Sequence, residues 1–574
     1  MMTKIWTRLV FTAPALALLS SSLLEAATAF SDLNIDAAVE KVLGKNELFD
    51  FETLQLTDDV LANLKDAGFG DEALSLFSPK SKPVKRQVVA KPPCKIYPGD
   101  ATWPSGAIWR LFNVLLGGAL IRTVPEASLC YPEWQIEHPT SIRSILFQGM
   151  TCMPPNYTAG FLGNTVNCSI GGFPEHSVNV STIAQIQLAV NIARELNIRL
   201  VIKNTAHDFG AKSAGKGGLN LWTHYLKDYK FYSNYQTDTY SGPAFKLAAG
   251  VQVFEANEWA KQHNVTLHLL TLFPSVGFIG GYIQGGGHSP LTSIYGMAAD
   301  HVLSIQLGVV TSMVVKVFPQ LNITTMTYNV TTGGNFTHDK FWAMQRAYVD
   351  EFERLADLGY YSYYRIRHLG GEITHDVTSM VAPNTSEAGF RAALAPLFQK
   401  WADIGVPFQP VIRESDNYSD AWLAAFPHEG VFDEGANIIL FNMRNPPGSE
   451  LTDNAVNPAW RKMLMFAIMF VTWNVTDSTQ HVTRLLRNLT YEWNPRWKTL
   501  TPTSGTYMPE SDYIEPNWQE SFHGSKYPRL LEIKKRWDPE SVSYATNTVG
   551  SEEWMLGDTI MGHLPSQNSK LCRK

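Results

Sequence analysis

The sequence contains 574 residues with a mass of 64.1 kDa, and 45% of them are hydrophobic while only 17% are charged. A chain of this length and apolar content can bury more than one large core, which excludes an intrinsically disordered protein. The formal net charge of -6 and the pI of about 6.2 give no basic surface for nucleic acid or an anionic membrane. No fixed-period repeat is visible, which argues against solenoids and propellers.

Residues 1–29 have the pattern of an export signal. Lys4 and Arg8 form a short basic region, the stretch from Leu9 to Leu24 is largely apolar, and Ala27-Thr-Ala offers small residues for cleavage. The alternative is an uncleaved membrane anchor, but the apolar run is shorter than the ~20 residues that span a bilayer. The sequence therefore predicts a secreted protein, with cleavage after residue 29.

Acceptor triplets for N-glycosylation and scattered cysteines agree with secretion. The density of N-x-[ST] triplets predicts N-glycans, and the triplets begin at Asn156, Asn167, Asn179, Asn264, Asn322, Asn329, Asn335, Asn384, Asn417, Asn474 and Asn488. The five cysteines are Cys94, Cys130, Cys152, Cys168 and Cys572. They form no C-x-x-C pair, so no metal site is expected. One or two disulfides among the first four cysteines are expected in an oxidising compartment.

Residues 30–92 are expected to be an N-terminal extension and linker. The part from Ser78 to Arg86 is basic and interrupted by proline. Lys85-Arg86 is either a processing site or part of a solvated linker. From residue 93 to about 172 the chain is rich in tryptophan, proline and cysteine without a clear period.

Regular elements begin at residue 181. Thr182 with Gln185 fits a capping box, and apolar residues follow at helical spacing. Arg199 to Lys203 predicts a buried strand, and the polar loop from Asn204 to Phe209 follows it. Further along, the patterns predict short strands with glycine loops over 211–320, a strand at 360–367, a helix at 387–401 and a helix from Pro528 that Asp538-Pro539 ends.

The segment from Gly210 to Gly217 nearly matches the phosphate loop G-x-x-x-x-G-K-[ST]. Gly217 stands where the motif needs a hydroxyl, so no side chain could reach a magnesium ion, and a nucleoside triphosphatase is disfavoured. The backbone amides of this loop could still bind a phosphate.

Residues 274–289 contain six glycines interleaved with large apolar residues. A flexible linker would be rich in glycine and serine throughout, so this segment is expected to be packed. Glycines in such a context allow a ligand or another backbone to approach closely, and tight turns in a core are the alternative. The spacing does not fit the G-x-G-x-x-G dinucleotide motif, and the sequence also lacks G-x-S-x-G and H-E-x-x-H motifs, which disfavours common hydrolases.

Several motifs in the correct order resemble a known family over roughly residues 93–574. The sequence resembles the fungal secreted FAD-linked oxidoreductases of the berberine bridge enzyme-like group, with a flavin domain of the vanillyl-alcohol oxidase (PCMH) type, and is most similar to the isoamyl-alcohol-oxidase-like subgroup. The segments that carry this resemblance are Asn204-Thr-Ala-His-Asp-Phe, Leu221-Trp-Thr-His-Tyr-Leu-Lys, residues 274–289, Ile294-Tyr-Gly-Met-Ala-Ala-Asp, Glu515-Pro-Asn-Trp-Gln, Tyr527-Pro-Arg-Leu-Leu-Glu-Ile-Lys and Val549-Gly-Ser-Glu-Glu-Trp.

The resemblance implies an α+β fold. A PCMH-type FAD-binding domain of two α+β subdomains would occupy residues 93–320, and an antiparallel-sheet substrate domain residues 321–500. A C-terminal segment, residues 501–574, would return to complete the FAD domain.

The resemblance also implies the cofactor and its ligands. In the motif that His207 matches, the family's histidine is attached covalently to FAD. A second attachment through cysteine is impossible here, because Phe273 occupies that position. The residues expected to hold FAD are His207, Asp208, Ser213, Ser275, Val276, Gly277, Gly280, Gly281, Gly285, Gly286, His288, Ser289 and Asp300.

The sequence departs from the family pattern at several positions. Ala206 and Ala211 stand where glycine is usual, and Pro509 where asparagine is common. After Leu307 the chain continues directly into Gly308, where family members carry a few dozen more residues near the flavin. This gap indicates either an incorrectly spliced gene or a degenerate protein, and in the second case flavin binding would be impaired.

The function implied is oxidation of a small organic substrate, an alcohol or a secondary metabolite. A substrate C–H beside a hydroxyl would give a hydride to flavin N5, a base would take the hydroxyl proton, and O₂ would reoxidise the flavin to give H₂O₂. The candidate bases are Tyr507, Glu510 and Asp512, and solvated loop carboxylates are the alternative for the two acids. The competing hypothesis is a non-catalytic secreted glycoprotein that keeps the fold without functional flavin.

Overall fold

The computed structural model describes residues 48–66, 70–79, 93–125, 151–152, 168–268, 274–306, 309–425, 436–473, 477–557, 559–560, 564–565 and 567–574. Within these ranges, no helix is both long and apolar enough to cross a bilayer. The predicted export signal, Lys85-Arg86, Phe273 and the junction between Leu307 and Gly308 lie outside the described residues.

A mainly parallel sheet carries the loop in which His207 lies. The elements up to this sheet are α1 Asp50–Thr53, α2 Asp58–Asp66, α3 Asp71–Ser75, α4 Gly106–Leu115, β1 Leu120–Arg122, β2 His176–Asn179, α5 Ile183–Glu195, β3 Arg199–Lys203 and β4 Gly218–Trp222. The strand order is β1-β2-β4-β3, with β1 antiparallel to its neighbour and the other pairs parallel. The predicted capping box begins α5, since the Thr182 hydroxyl accepts from Gln185 N and the Gln185 side chain accepts from Thr182 N.

A second, antiparallel sheet follows directly. Its elements are β5 Tyr229–Gln236, β6 Ser241–Ala248, α6 Val253–Gln262, β7 Val265–Thr266, a π-helical turn Phe278–Tyr282, a 3₁₀ turn Ile283–Gly285, α7 Thr292–Tyr295, a 3₁₀ turn Ala298–His301, β8 Val302–Gln306, β9 Ser312–Lys316 and β10 Phe318–Pro319. The strand order is β5-β6-β9-β8, while β7 and β10 form a separate pair. The glycine segment 274–289 therefore forms two helical turns, which agrees with the expectation that it is packed.

A six-stranded antiparallel sheet forms the next layer. Its elements are β11 Ile323–Thr331, α8 His338–Val349, α9 Phe352–Asp357, β12 Tyr361–Leu369, β13 Glu372–Pro383, α10 Glu387–Ile404, β14 Val411–Ser415, α11 Tyr418–Ala425, β15 Ala436–Asn442 and β16 Met465–Met469. The strand order is β14-β11-β13-β12-β15-β16. Helix α10 begins at the Ser386 cap and ends at Gly405, which has a φ of 80°. It buries a stripe at helical spacing, Phe390, Leu394, Leu397 and Trp401, each 0% exposed, which stabilises the layer by about 1.5–3 kcal/mol per side chain.

The C-terminal part returns to the first sheet. Its elements are α12 Thr479–Asn488, a π-helical turn Leu489–Trp493, α13 Asn494–Leu500, α14 Trp518–His523, α15 Tyr527–Trp537, β17 Trp554–Leu556, β18 Thr559–Ile560, β19 Leu564–Pro565 and β20 Leu571–Arg573. Leu200 N of β3 donates to Val542 O, and Lys95 N donates to Leu571 O. Helix α15 forms where Pro528 predicts it, but its apolar residues Ile533 and Trp537 are 45% and 76% exposed.

Two disulfides agree with the expected number, but one pairing differs from the prediction. Cys152 pairs with Cys168, as a pair among the first four cysteines. Cys94 pairs with Cys572 across 478 residues, so the last cysteine is not left over. The sequence could not give this partner because β20 returns to the chain at Cys94 only in the folded protein. Cys130 lies outside the described residues.

Candidate functional site

The loop after β3 holds His207 between two distant segments. His207 Nε2 lies 2.9 Å from Ser275 Oγ, at the start of the glycine segment. The backbone N–H of Phe209 donates to Pro509 O at 2.9 Å, in the C-terminal segment. His207 and Ser275, which are both predicted to hold FAD, are therefore hydrogen-bonded to each other.

Two alanines, one on each side of His207 in sequence, have left-handed backbone conformations. Ala206 has a φ of 63° and Ala211 a φ of 48°. An L-residue with a Cβ is strained by roughly 1–2 kcal/mol in this region, whereas glycine is not. The two departures from the family's glycines therefore fall at positions where the backbone itself favours glycine.

Asp208 and Ser213, both predicted cofactor residues, are hydrogen-bonded to each other. One carboxylate oxygen of Asp208 accepts from Lys212 N at 2.7 Å, and the other accepts from the Ser213 hydroxyl at 3.2 Å. Lys212 Nζ donates to Met508 O at 3.4 Å, and burial lowers the pKa of Lys212 from its ordinary value while Asp208 opposes that shift. The near-match to a phosphate loop is thus a tight turn that packs on the C-terminal segment.

Three glycines of the segment lie in close contact with other parts of the chain. A Cβ on Gly277 or Gly280 would lie 2.4 or 2.3 Å from the Asn204 side chain, and a Cβ on Gly285 would lie 2.3 Å from Pro509 Cγ. In contrast, a Cβ on Gly281 would meet no described atom within 4 Å, so this glycine faces open space. Gly286 has a φ of 114°, which only glycine adopts without strain.

The residues at the start of the segment are fixed by the N-terminal end of α6. Val276 O accepts from Val253 N at 2.9 Å, and Ser275 O accepts from Gln252 Nε2 at 2.7 Å. Gly277 N donates to Thr205 Oγ1 at 3.1 Å, which joins the segment to the His207 loop. Thr205 lies in the motif that carries the resemblance, but neither it nor Gln252 is among the residues predicted to hold FAD.

His288 lies at the other end of the segment, fully buried in an aromatic environment. The imidazole ring contacts four aromatic rings at centroid distances of 4.9–5.8 Å, namely those of Phe441, Trp460, Phe466 and Tyr507. Among the described residues, neither ring nitrogen of His288 has a hydrogen-bond partner. Ser289 beside it is also fully buried, and its hydroxyl accepts from Leu291 N at 2.9 Å.

The three candidate bases have different surroundings. Tyr507 is buried, and burial holds the pKa of its phenol well above the ordinary value. Asp512 is engaged by Thr490 Oγ1 at 2.5 Å and Ile514 N at 3.0 Å, and burial raises its pKa. Glu510 Oε2 lies 3.7 Å from His288 Nε2, and no described residue hydrogen-bonds to that oxygen.

Asp300, a predicted cofactor residue, is an ion-pair partner. Arg461 binds both its carboxylate oxygens, at 2.6 and 2.8 Å, and Asn454 and Met297 N add hydrogen bonds. Burial raises the pKa of Asp300, but the hydrogen bonds and charge of Arg461, with smaller contributions from Met297 N and Asn454, lower it overall. The pair joins the 3₁₀ turn after the glycine segment to the turn before β16. No local sequence signal singled out Arg461, which is 161 residues away.

Three segments far apart in sequence therefore converge: the loop 204–213, the glycine segment 274–289 and residues 507–512. The residues present fit a flavin, because His207 is hydrogen-bonded to Ser275 of the glycine segment and buried polar atoms of His288 and Glu510 have no partner among the described residues. Among the described residues, no cluster of three metal-ligating side chains is present.

Comparison with known proteins identifies two family matches. Residues 174–316 match the family described as FAD binding domain, and residues 506–549 match the family described as berberine and berberine like. The two matches contain the His207 loop, the glycine segment and residues 507–512, so the matched regions include the segments that converge.

The matches to individual relatives extend over nearly the whole length of those proteins. VAO-type flavoprotein oxidase VAO615 from Thermothelomyces thermophilus is 32% identical over 84% of this chain and 96% of that protein. FAD-linked oxidoreductase ZEB1 from Gibberella zeae is 30% identical over 81% of this chain and 94% of that protein. The crystal structure of VAO-type flavoprotein MtVAO615 from Myceliophthora thermophila C1 matches 84% of this chain and all of that chain, with 28% identity and a TM-score of 0.74.

The match to VAO615 extends over 570 positions but includes only 84% of this 574-residue chain. That relative therefore has residues within the matched region that have no counterpart here. The α+β architecture with antiparallel sheets is the one that the solved relatives share. By sequence, by fold and by the segments that meet at the site, the chain belongs to the FAD-linked oxidoreductases of the VAO and berberine-like flavoprotein family.

Proposed function

We propose that this chain is a secreted FAD-dependent oxidase that acts on an alcohol or a similar small organic substrate. The observation that carries the proposal is the convergence of the three segments, with His207 2.9 Å from Ser275 and Glu510 3.7 Å from the buried His288. This arrangement provides an attachment point for a flavin and a carboxylate free to act on a substrate, at opposite ends of one glycine segment.

FAD is held covalently, through His207 only. The imidazole is positioned by Ser275, and a neutral ring nitrogen is the nucleophile that such a bond requires. Gly281 and Gly286 leave room for the backbone to approach the cofactor, while Gly277, Gly280 and Gly285 hold the segment against Asn204 and Pro509. Asp208 and Ser213 shape the turn beside it. Asp300 acts by fixing the turn after the segment through Arg461. When bound, FAD supplies the two-electron acceptor for the substrate C–H and is returned to its oxidised form by O₂.

Glu510 is the proposed proton acceptor. Its Oε2 has no hydrogen-bond partner among the described residues, so a substrate hydroxyl can donate to it. Tyr507 is a poor base at neutral pH because burial raises its pKa. Asp512 is less suited because its two oxygens already accept from Thr490 and Ile514 N. Tyr507 therefore shapes the wall beside His288, and Asp512 supports the segment that carries Glu510.

The substrate is proposed to be an apolar or aromatic alcohol. Phe441 of β15 and Phe466 of β16 contact the His288 ring, and Tyr361 and Tyr363 of β12 contact Phe441. Aromatic side chains of β12, β15 and β16 are therefore grouped beside the end of the glycine segment near which Glu510 lies. Aromatic rings offer large apolar contact area and few polar groups for a sugar to bind.

The domain boundaries follow the sheets. The FAD domain is proposed to cover residues 93–320 and 501–574, and the substrate domain residues 321–500, because the six-stranded sheet lies within 323–469. Secretion with cleavage after residue 29 is supported by the two disulfides. N-glycans are proposed at acceptor asparagines that are exposed, which include Asn264, Asn322, Asn329, Asn335 and Asn384. Membership of the isoamyl-alcohol-oxidase-like subgroup stays a prediction.

The second candidate, a glycoprotein without flavin, is favoured by the residues that this chain lacks relative to VAO615. The absorption spectrum of the purified protein distinguishes the two. The oxidase should show a flavin band at near-stoichiometric occupancy and consume O₂ with at least one member of a panel of benzylic and aliphatic alcohols. A protein without a flavin band after reconstitution with FAD would reject the oxidase and support the glycoprotein.

A further inference from the structure

A buried ion pair joins the N-terminal extension to the flavin-binding domain. Lys246 of β6 donates to Glu52 Oε2 at 2.5 Å, and the Ser312 hydroxyl of β9 donates to Glu52 Oε1 at 2.5 Å. Glu52, Lys246 and Ser312 are only 3%, 1% and 0% exposed. Lys246 Nζ also lies 4.2 Å from the centre of the Phe49 ring. A lysine at the centre of an antiparallel sheet is thus neutralised by a residue from the chain's own extension.

The extension also contacts α5 at four separate points. Near the N-terminal end of α5, Leu56 N donates to Gln187 Oε1 at 2.6 Å and Ala184 N donates to Leu54 O at 2.8 Å. At the other end, Asn191 Nδ2 donates to Phe77 O at 2.7 Å and Arg194 Nη2 donates to Ser78 O at 3.0 Å. These bonds use backbone groups of the extension together with three side chains and one backbone N–H of α5, so their pattern is that of a bound peptide.

Apolar side chains of the extension belong to the core of the flavin-binding domain. Phe51, Leu56 and Phe77 are each at most 8% exposed and are part of the same cluster as β6, β9 and α5. The Phe77 ring stacks on Phe112 of α4 with a centroid distance of 5.8 Å. The contact therefore combines an apolar centre, a buried charge pair and directional hydrogen bonds, which is the composition of a specific interface.

We propose that residues 48–66 and 70–79, here called the docking segment, form a self-contained ligand of the flavin-binding domain that stays bound when the chain is cut between residues 79 and 93. The surface formed by α5, β6 and β9 thus binds a peptide in which phenylalanines flank a buried acidic residue. No cysteine precedes Cys94, so the fragment is held without a disulfide. The proposal does not depend on flavin binding or activity.

The test uses the full chain, with residues 81–87 replaced by the recognition sequence of a site-specific protease. After complete cleavage, size-exclusion chromatography without denaturant is followed by a denaturing gel of each fraction. The N-terminal fragment is expected to co-elute with the remainder at a 1:1 ratio, with or without reducing agent, and after dilution to nanomolar concentration. A fragment that elutes apart from the remainder, whether that remainder is soluble or aggregated, overturns the proposal.

A set of variants identifies the ion pair as the specific contact. Glu52→Gln leaves Lys246 buried without this carboxylate, so the dissociation constant of the fragment should rise at least about a hundredfold. Glu52→Gln combined with Lys246→Met removes both charges and should bring the constant back to within about tenfold. Asp71→Asn is the matched control, because Asp71 is in the same segment but its pair with Lys65 is exposed. A Glu52→Gln fragment that binds as tightly as the Asp71→Asn fragment also overturns the proposal.

Discussion

Glu510 Oε2 lies 3.7 Å from His288 Nε2, and neither atom has a hydrogen-bond partner within the described part of the chain. His288 is fully buried, whereas the Glu510 side chain is 18% exposed. Glu510 Oε2 itself is buried, so the exposed fraction belongs to other atoms of that side chain. The two atoms therefore face each other inside the protein, while part of Glu510 reaches the surface.

Replacing Glu510 by glutamine should remove the proton acceptor while retaining shape and volume. We expect the rate of flavin reduction by an alcohol substrate under anaerobic conditions to fall by about 10²–10⁴-fold, the range typical of a lost general base. Stopped-flow absorbance measures this rate directly. Glu520→Gln, an exposed carboxylate of α14, should leave it unchanged. A Glu510→Gln variant as fast as the wild type would exclude Glu510, and a larger loss in Asp512→Asn would assign the role to Asp512.

Replacing His207 by alanine should remove the covalent link to the cofactor. Acid precipitation of the wild type is expected to keep the flavin in the pellet, and the same treatment of the variant should release it into the supernatant. His224→Ala is a suitable control, because His224 is a half-buried histidine that stacks on Trp222 of the same sheet. Flavin that remains in the His207→Ala pellet would mean that another residue forms the bond, and release from the wild type would mean that no bond exists.

Replacing Ala206 and Ala211 by glycine should stabilise the protein. Both alanines have positive φ values, and relief of this strain outweighs the extra entropy of glycine in the unfolded chain. We expect a gain of about 0.5–1 kcal/mol for each change, measured by urea denaturation. Ala214→Gly, in the same loop but outside the positive-φ set, should lower stability by a similar amount. A loss of stability in both Ala206→Gly and Ala211→Gly would disprove the strain.

Replacing Gly285 by alanine should separate the glycine segment from the C-terminal segment. The new Cβ would lie 2.3 Å from Pro509 Cγ, so one backbone must move, at a cost of about 1–3 kcal/mol. Flavin content should fall together with the urea midpoint. Gly281→Ala is the matched change four residues earlier, where no described atom lies within 4 Å of the new Cβ, and it should leave the midpoint unchanged. Equal midpoints for the two variants would contradict the close contact at Pro509.

Acidification should destabilise the substrate-side core through His375. Burial lowers the pKa of His375 to about 3, from 6.5, while Gln345 and Tyr328 contact its two ring nitrogens. The unfolded chain therefore takes up the proton first, and the stability is full above pH 6.5 and is lost as the pH falls from 6.5 toward 3. The loss amounts to about 2.7 kcal/mol by pH 4.5.

The measurement for this residue is the urea midpoint at pH 7 and pH 4.5. His375→Gln cannot take up the proton, so its midpoint should change less between the two pH values than that of the wild type. His368→Gln removes an exposed histidine from the neighbouring strand β12, and it should retain the full pH dependence. Identical pH dependence in all three proteins would show that His375 does not titrate between the folded and unfolded states.

Local elements were predictable because their signals lie within a few residues. The capping box of Thr182 and Gln185, the apolar run of β3 and the helical stripe of α10 each depend on neighbours in sequence, and each forms as expected. The family motifs added a predicted order of the domains and pointed to the three segments that contact one another in the fold. Helix α15 shows the limit, because its apolar spacing predicted a helix correctly but said nothing about whether a partner covers that face.

Contacts between distant segments could not be predicted from periodicity. Arg461 is an ordinary basic residue in the sequence, and only the fold brings it to Asp300. The same holds for Glu52, which is in a segment expected to be an extension but neutralises Lys246 in the core. Hydrophobic patterns specify which face of an element is buried, whereas the partner of a buried charge depends on tertiary structure.

The bond between Cys94 and Cys572 sets a minimum time for the completion of the flavin-binding domain. Cys94 leaves the ribosome 478 residues before its partner, which at usual rates of synthesis is a delay of about half a minute to a minute and a half. The strand β20, which pairs with the chain at Lys95, is made after the same delay. This domain therefore closes only once β20 has been made, and until then its first sheet lacks the contact between Lys95 and Leu571.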